Sequence, residues 1–331
     1  MTRILVTGGA GYVGSVSVAT LLAAGHEVVV LDDLTTGHAG AVPTGARMTR
    51  GSYVDSATIR GILQSADIEA ILHCAARSLV GESAQDPAKY YRENVAGGIT
   101  LLEAARTSGV KRIVFSSTAA VYGVPDDTPI PEDAPLRPIN PYGETKRAVE
   151  AALGWYGRAY GLRSVALRYF NVAGATEDLG EAHDPETHLI PNVLAAAAGD
   201  RQLTVYGDDY PTPDGTCIRD YIHVADLADA HLRAIEATAP NDARTDESLV
   251  CNLGNGGGFS VREVLAAAER IVGQPVPHTV GDRRPGDPPI LVASAARAAS
   301  VLGWTPRHPS LDEMVGSAWD WRVRHPNGYG D

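Results

Sequence analysis

Cysteine is scarce and long apolar runs are missing. Cys74, Cys217 and Cys251 are isolated and odd in number. They can build neither a disulfide framework nor a CxxC metal site, and a reducing cytoplasm fits them best. No stretch approaches the roughly 20 apolar residues of a membrane span. The opening MTRILVTGG enters a strand-like run at once, with no charged leader or cleavage site. A soluble cytoplasmic protein without a metal site is expected. Basic residues are also in deficit, 28 Lys and Arg against 40 Asp and Glu, a net charge of −12. That balance, with no basic cluster, disfavours nucleic acid and anionic membrane as partners. There is no internal repeat or low-complexity tract.

What is present is the composition of an ordinary folded protein, 44% hydrophobic and 21% charged over 331 residues, enough for two lobes. Short β-branched runs alternate with helix-length segments: ILVT near residue 4, EVVVLDD from Glu27, AILHCAA from Ala70, RIVFSS from Arg112 and SVALRY from Ser164. This alternation predicts βα units around a parallel sheet, an α/β Rossmann-type doubly wound fold. A long helix is expected over about Asp86 to Ser108, with Val95, Ile99 and Leu102 facing the core. Six prolines between Pro125 and Pro141 mark a stiff loop ending at a helix near Tyr142. After about Asn171 glycine and proline increase and the elements shorten. Residues 1–170 are therefore read as a first lobe, and 171–217 with 241–331 as a smaller α/β second lobe. A segment of about 218–240 returns to the first.

Gly8-Gly9-Ala10-Gly11-Tyr12-Val13-Gly14 stands between the first strand and an apolar helix expected over Ser15 to Ala24. Glycines there allow a tight turn and close backbone approach, so a pyrophosphate can sit on the free amides of the helix N-terminus. The second strand ends in Asp32, 18 residues after Gly14. A carboxylate at that place accepts from ribose hydroxyls and repels a 2′-phosphate, favouring NAD over NADP, and Asp33 strengthens the field.

Tyr142-Gly143-Glu144-Thr145-Lys146 puts a phenol and an ammonium on one helical face. A tyrosine of pKa ~10 is a poor base at neutral pH, but a facing Lys⁺ and an oxidised nicotinamide push it toward phenolate. Thr118, in the strand-end run SSTAAVYG, offers a hydroxyl to a substrate oxygen or to the phenolate. Together with the glycine loop these are the parts of a hydride-transfer site.

GGAGYVG, Asp32, SSTAAVYG and YGETK resemble the extended short-chain dehydrogenase/reductase family. HCAARSLVGES, RYFNVAGA, the run from Val205 to RDYIHVADLADAH, CNLGNGGGFSV, DRRPGD and WDWRVRHPNGYGD are similar to its UDP-hexose 4-epimerase branch, over essentially the whole chain. The resemblance implies reversible C4 epimerisation of UDP-glucose and UDP-galactose through a 4-keto sugar, with tightly held NAD and Tyr142, Lys146 and Thr118 as catalytic residues. It implies NAD contacts from Gly8, Gly11, Tyr12, Val13, Gly14, Asp32, Asp33, Leu34, Thr35, Thr36, Gly37, Ser52, Tyr53, Cys74, Ala75, Ala76, Ser78, Asn94, Tyr142, Lys146 and Phe170. The UDP would be held by Asn171, His188, Leu189, Thr204, Val205, Tyr206, Arg219, Arg284 and Asp287. Thr118, Tyr142 and Leu291 would face the sugar. Relatives of this kind form homodimers through helices of the NAD lobe.

Some positions depart from the family pattern. Ala119 and Ala120 stand where the family's 4,6-dehydratases carry Asp and Glu, so a 4-ketose has no local route to elimination. Ser52 replaces an adenine-binding acid, which leaves that contact to be shared by Tyr53 or Asp55. Ser78 replaces a lysine near the pyrophosphate, with Arg77 adjacent. Leu291 replaces a tyrosine beside the sugar, leaving volume for an N-acetyl group. Wider readings are an epimerase of N-acetylated, uronate or pentose UDP-sugars, or a non-catalytic NAD-sensing regulator. The regulator has no use for the tyrosine-lysine pair.

Overall fold

The computed structural model describes residues 1–240, 248–284 and 287–330. In the first lobe the elements run β1 (Arg3–Thr7), α1 (Tyr12–Ala23), β2 (Glu27–Asp32), β3 (Arg47–Arg50), α2 (Ser56–Ser65), β4 (Ala70–His73), α3 (Val80–Gln85), α4 (Pro87–Tyr90), α5 (Gly97–Thr107), β5 (Arg112–Thr118), α6 (Pro141–Tyr160) and β6 (Arg163–Tyr169). There follow β7 (Asn171–Ala173), α7 (Leu189–Ala197), β8 (Leu203–Tyr206), β9 (Ile218–Arg219), β10 (Tyr221–His223), α8 (Val224–Ala237), β11 (Ser248–Leu253), β12 (Phe259–Ser260), α9 (Val261–Val272), β13 (His278–Gly281), β14 (Ile290–Leu291) and α10 (Leu311–Arg324).

Seven parallel strands form the central sheet in the order β11-β6-β5-β4-β1-β2-β3. Its two faces follow from period-two alternation. Ile4, Val6, Val28 and Val30 face one core with Val18 of α1 and Leu227, Ala230 and Ala234 of α8. Leu5, Val29 and Leu31 face the other, with Ile59 of α2, Leu101 of α5 and Val149 of α6. The strand order reverses between β1 and β4, the place where doubly wound sheets open a crevice at the strands' carboxyl ends. Thr7, Asp32, His73 and Thr118 all end strands on that edge.

Two expectations are corrected. The return to the first lobe extends past 240, because Ser248–Leu253 pairs with β6 as the last strand of the sheet; the boundary expected at 240/241 adjoins residues outside the described ones. The helix expected over Asp86 to Ser108 is broken in geometry: between α4 and α5, Tyr91–Ala96 winds as a wider π turn. That turn rotates Asn94 inward, while Val95 stays only half-buried. A third core, built from α7, α9 and α10 with β8, underlies the second lobe.

Candidate active site

α6 begins where the proline-rich loop ends. Asn140 caps it, its Oδ1 accepting from the Gly143 amide at 2.9 Å, and Pro141 takes the first helical position, where no N–H is needed. Tyr142 therefore lies in the first turn and Lys146 one turn on, across from the end of β5. The buried Lys146 Nζ donates to the Ser116 carbonyl at 2.7 Å and lies 4.7 Å from the Phe115 ring centre and 6.0 Å from that of Tyr142. Burial lowers its pKa to about 8. The Tyr142 phenol is raised by burial, and a hydrogen bond with Thr118 acts in the opposite direction. Ser116 and Ser117 point elsewhere: Ser116 Oγ meets Cys74 Sγ at 3.3 Å and His231 Nε2 at 3.2 Å, and Ser117 donates to Glu150. Of the three consecutive hydroxyls, Thr118 is the one that meets the phenol.

The glycine loop forms a cradle beside this pair. Gly8 has φ +73°, and a Cβ there would stand 2.6 Å from the Ala75 amide nitrogen. A Cβ at Gly14 would stand 1.9 Å from the Gly8 carbonyl oxygen, whereas one at Gly11 would meet nothing nearer than 3.5 Å. Gly8 and Gly14 thus serve close packing, and Gly11 leaves the loop open. α1 has no side-chain cap and no acid in its first turn, which contains Tyr12, Val13 and Gly14. An anionic pyrophosphate fits that cradle and an adenosine ribose fits Asp32, so the residues present suit NAD. Asp32 Oδ1 and Oδ2 accept from the Leu34 and Ala10 amides at 2.9 and 3.0 Å. Burial raises its pKa and these two bonds oppose the rise. Gly37 packs against the same carboxylate, Asp33 accepts from the Thr35 amide at 2.9 Å, and Thr35 and Thr36 are exposed.

Several expected cofactor contacts are engaged within the protein. Asp55 caps α2, accepting from Ala57 N at 2.9 Å and Thr58 Oγ1 at 2.6 Å. The Tyr53 hydroxyl donates to the Glu93 carbonyl at 3.0 Å, and its ring sits edge-on to His73. The Tyr53 hydroxyl and the Asp55 carboxylate, both expected near the adenine, are thus each bonded within the protein. Ser52 Oγ accepts from Val54 N at 3.3 Å. Arg77 is held by Glu93 at 2.5 Å and lies 4.0 Å from Asp33, so its charge is spent there, while Ser78 is exposed. Asn94 grips the main chain of Arg77 from both sides, at 2.8 and 2.9 Å, and donates to Thr145 at 3.1 Å. Its amide positions the loop carrying Cys74, Ala75 and Ala76. Burial pushes the Cys74 thiol up to about 11, so it is no nucleophile.

The expected UDP residues come from scattered segments. Arg284 stacks on the exposed Tyr206 ring at 4.2 Å, next to Thr204, whose hydroxyl is 3.3 Å from that of Thr279. Val205 is buried in the third core and pairs with Val280 of β13. Arg219 and Asp287, expected to act on separate groups, form one ion pair at 2.5 Å. Asn171 Nδ2 donates to the Asp220 carbonyl at 3.0 Å. His188 is the cap residue of α7 and Leu189 packs on the core behind it. Phe170 and Leu291 share a small apolar cluster with Val121, Tyr122 and Ile130. Pro285 and Gly286 of the DRRPGD run lie outside the described residues.

Residues 4–250 match the model of the NAD dependent epimerase/dehydratase family. A UDP-glucose 4-epimerase of Streptomyces lividans is 52% identical over 99% of this chain and 98% of its own. A structure of UDP-glucose 4-epimerase from Brucella ovis in complex with NAD superposes with a TM-score of 0.93 at 47% identity, covering 96% and 98% of the two chains. One from Bifidobacterium longum, in complex with NAD+ and UDP, gives 0.93 at 36% identity over 99% and 100%. The chain belongs to the UDP-glucose 4-epimerase family.

Under the epimerase site lies a support that sequence reading missed. Ser117 donates to Glu150 of α6, and Glu150 pairs with Arg168 of β6 at 2.5 Å, both side chains almost fully buried. Arg168 also donates to the Tyr122 hydroxyl at 2.8 Å, which donates to Asn252 Oδ1 at 2.7 Å. The network ties the ends of β5, β6 and β11 to α6. A second group, Glu181, His183, Glu186 and His188, gathers just before α7. Its signal was legible, five ligand-type residues within eight positions, of which these four come together.

Proposed function

We propose that this chain is an NAD-dependent isomerase that interconverts UDP-glucose and UDP-galactose at C4 through a transient 4-keto sugar, in galactose metabolism. The observation that carries this reading is the joining of Thr118, Tyr142 and Lys146 beside the glycine cradle. Bound NAD supplies hydride acceptance and return at C4. Tyr142 takes the proton of the sugar 4-hydroxyl and gives it back. Thr118 holds the phenol oxygen, and Lys146 binds the nicotinamide ribose and favours phenolate by its charge.

Ala119 and Ala120 follow Thr118 with methyl groups that move no proton, so the ketone is reduced again rather than losing water. Arg219 and Arg284 supply directional hydrogen bonds to the diphosphate, and Tyr206 offers its ring to the uracil. Firm holding of the nucleotide leaves the hexose free to present either face.

The same reading places the enzyme in the cytoplasm as a homodimer. Among the described residues no helix is long and apolar enough to cross a membrane. Exposed Trp155 and Tyr160 on α6 support docking of a second copy on the helices of the NAD lobe. The test is incubation of purified protein with UDP-galactose, followed by proton NMR of the anomeric region. UDP-glucose should appear; no conversion with NAD supplied would overturn the reading.

A further inference from the structure

We propose that Glu181, His183, Glu186 and His188 bind one divalent transition-metal ion, with zinc the best match to the donor set. The four lie in one eight-residue loop, and their ligand atoms all fall within 4.8 Å of one another. Bonds of about 2.0–2.2 Å to nitrogen and oxygen place the ligand atoms of one ion at most about 4.4 Å apart, so small side-chain rotations close a set of that span around an ion.

The side chains converge from both ends of the loop. His188 Nδ1 is 2.8 Å from Glu186 Oε1 and 3.7 Å from Glu181 Oε2, and His183 Nδ1 lies against Glu181 Oε1. The Glu181 side chain is only 9% exposed. Its Oε1 and the His183 Nδ1 are both buried, and neither has a hydrogen-bond partner, although they adjoin each other. Two buried lone-pair atoms that meet only each other are what a bound cation would satisfy.

The chemistry narrows the ion. Two imidazoles with two carboxylates suit zinc and its neighbours, while magnesium and calcium prefer oxygen alone. The carboxylates also balance a double positive charge. Glu186 Oε1 is oriented by the Thr187 and His188 amides at 2.6 and 2.7 Å, a supporting layer typical of metal sites. Glu181 and His183 line a cavity of about 300 Å³ with Trp321 and His325, which gives an entry path.

The position assigns a role. His38 bonds the Ala182 carbonyl at 2.9 Å, and its amide donates to the Ala10 carbonyl of the glycine loop at 2.9 Å. The loop holding the cluster thus bridges the cofactor cradle and α7. A cation there fastens the two lobes next to the NAD pyrophosphate site without touching the reacting atoms.

The test uses full-length protein purified without a metal-affinity step, treated with a chelator, dialysed against zinc chloride and then against metal-free buffer. Bound zinc is read by inductively coupled plasma mass spectrometry. The wild type should retain one zinc per chain. His183→Ala and Glu186→Gln should each weaken retention by about tenfold or more, with unchanged circular dichroism. His278→Ala, an exposed imidazole on β13, should retain zinc like the wild type. If one variant fails to fold, the other decides. Equal zinc in wild type and the folded ligand variant, or none in wild type, would overturn the site and leave two histidine–glutamate ion pairs instead. Neither readout uses epimerisation, so this failure is separate from a failure of the epimerase reading.

Discussion

Lys146 donates a 2.7 Å hydrogen bond to the main-chain carbonyl of Ser116, two residues before Thr118. This bond couples the first turns of α6 to the end of β5 and so sets where the phenol of Tyr142 meets the hydroxyl of Thr118. The meeting of Tyr142 and Thr118 thus depends on the register of one strand against one helix.

Replacing Tyr142 by phenylalanine keeps the ring and removes the group proposed to move the proton. Tyr142→Phe should fold, retain its cofactor and lose about 10²–10⁴-fold in rate. Turnover by NMR, and NAD released on denaturation, check both halves. An unchanged rate would contradict the assigned base.

Lys146 carries a pH signature of its own. Burial places it at about 8, below its ordinary 10.5. The folded state therefore disfavours the charged amine, a penalty on the order of 3 kcal/mol that is fully present below pH 8 and fades as pH rises toward 10.5. Urea midpoints of cofactor-stripped wild type and Lys146→Met should thus shift in favour of the wild type as pH rises through that window. A difference independent of pH would contradict the burial account.

The buried pair of Arg168 and Glu150 is expected to be costly to break on one side only. Arg168→Met leaves an unpaired buried carboxylate and should destabilise by about 3–5 kcal/mol in urea unfolding. The double variant with Glu150→Gln should recover part of that loss. No recovery would mean that the pair contributes through packing rather than charge.

Glycines of the cradle separate packing from ligand approach. Gly14→Ala sets a methyl against the Gly8 carbonyl and should lower both melting temperature and NAD content. Gly11→Ala meets no close neighbour in the protein, so it should keep its melting temperature when cofactor-free and still lose NAD. Melting curves with and without NAD distinguish the two.

Local signals were the legible ones. The glycine loop, Asp32 at a strand end and the Tyr142–Lys146 spacing each need only a few adjacent residues, and five of the seven strands stood out as apolar runs. β3, with the sequence RMTR, has no such run because it is an edge strand paired on one side. β11 was hidden because it joins the sheet after an excursion through the second lobe. The pairing of Arg77, adjacent to Ser78, with Glu93 was not legible because it depends on the π turn that carries Glu93. The Ser117–Glu150–Arg168 chain depends on three elements meeting in register, which no single segment encodes. Glu181 to His188 carried its signal openly, but charged surface loops are common and the convergence is visible only in three dimensions.

The central claim is that the hydrogen leaving C4 is held and returned to the same carbon. Its most direct measurement is proton NMR of UDP-galactose incubated with the purified protein in D₂O, with no NAD added. The account predicts UDP-glucose carrying protium at C4. Deuterium at C4, or no UDP-glucose even after NAD is supplied, would contradict it.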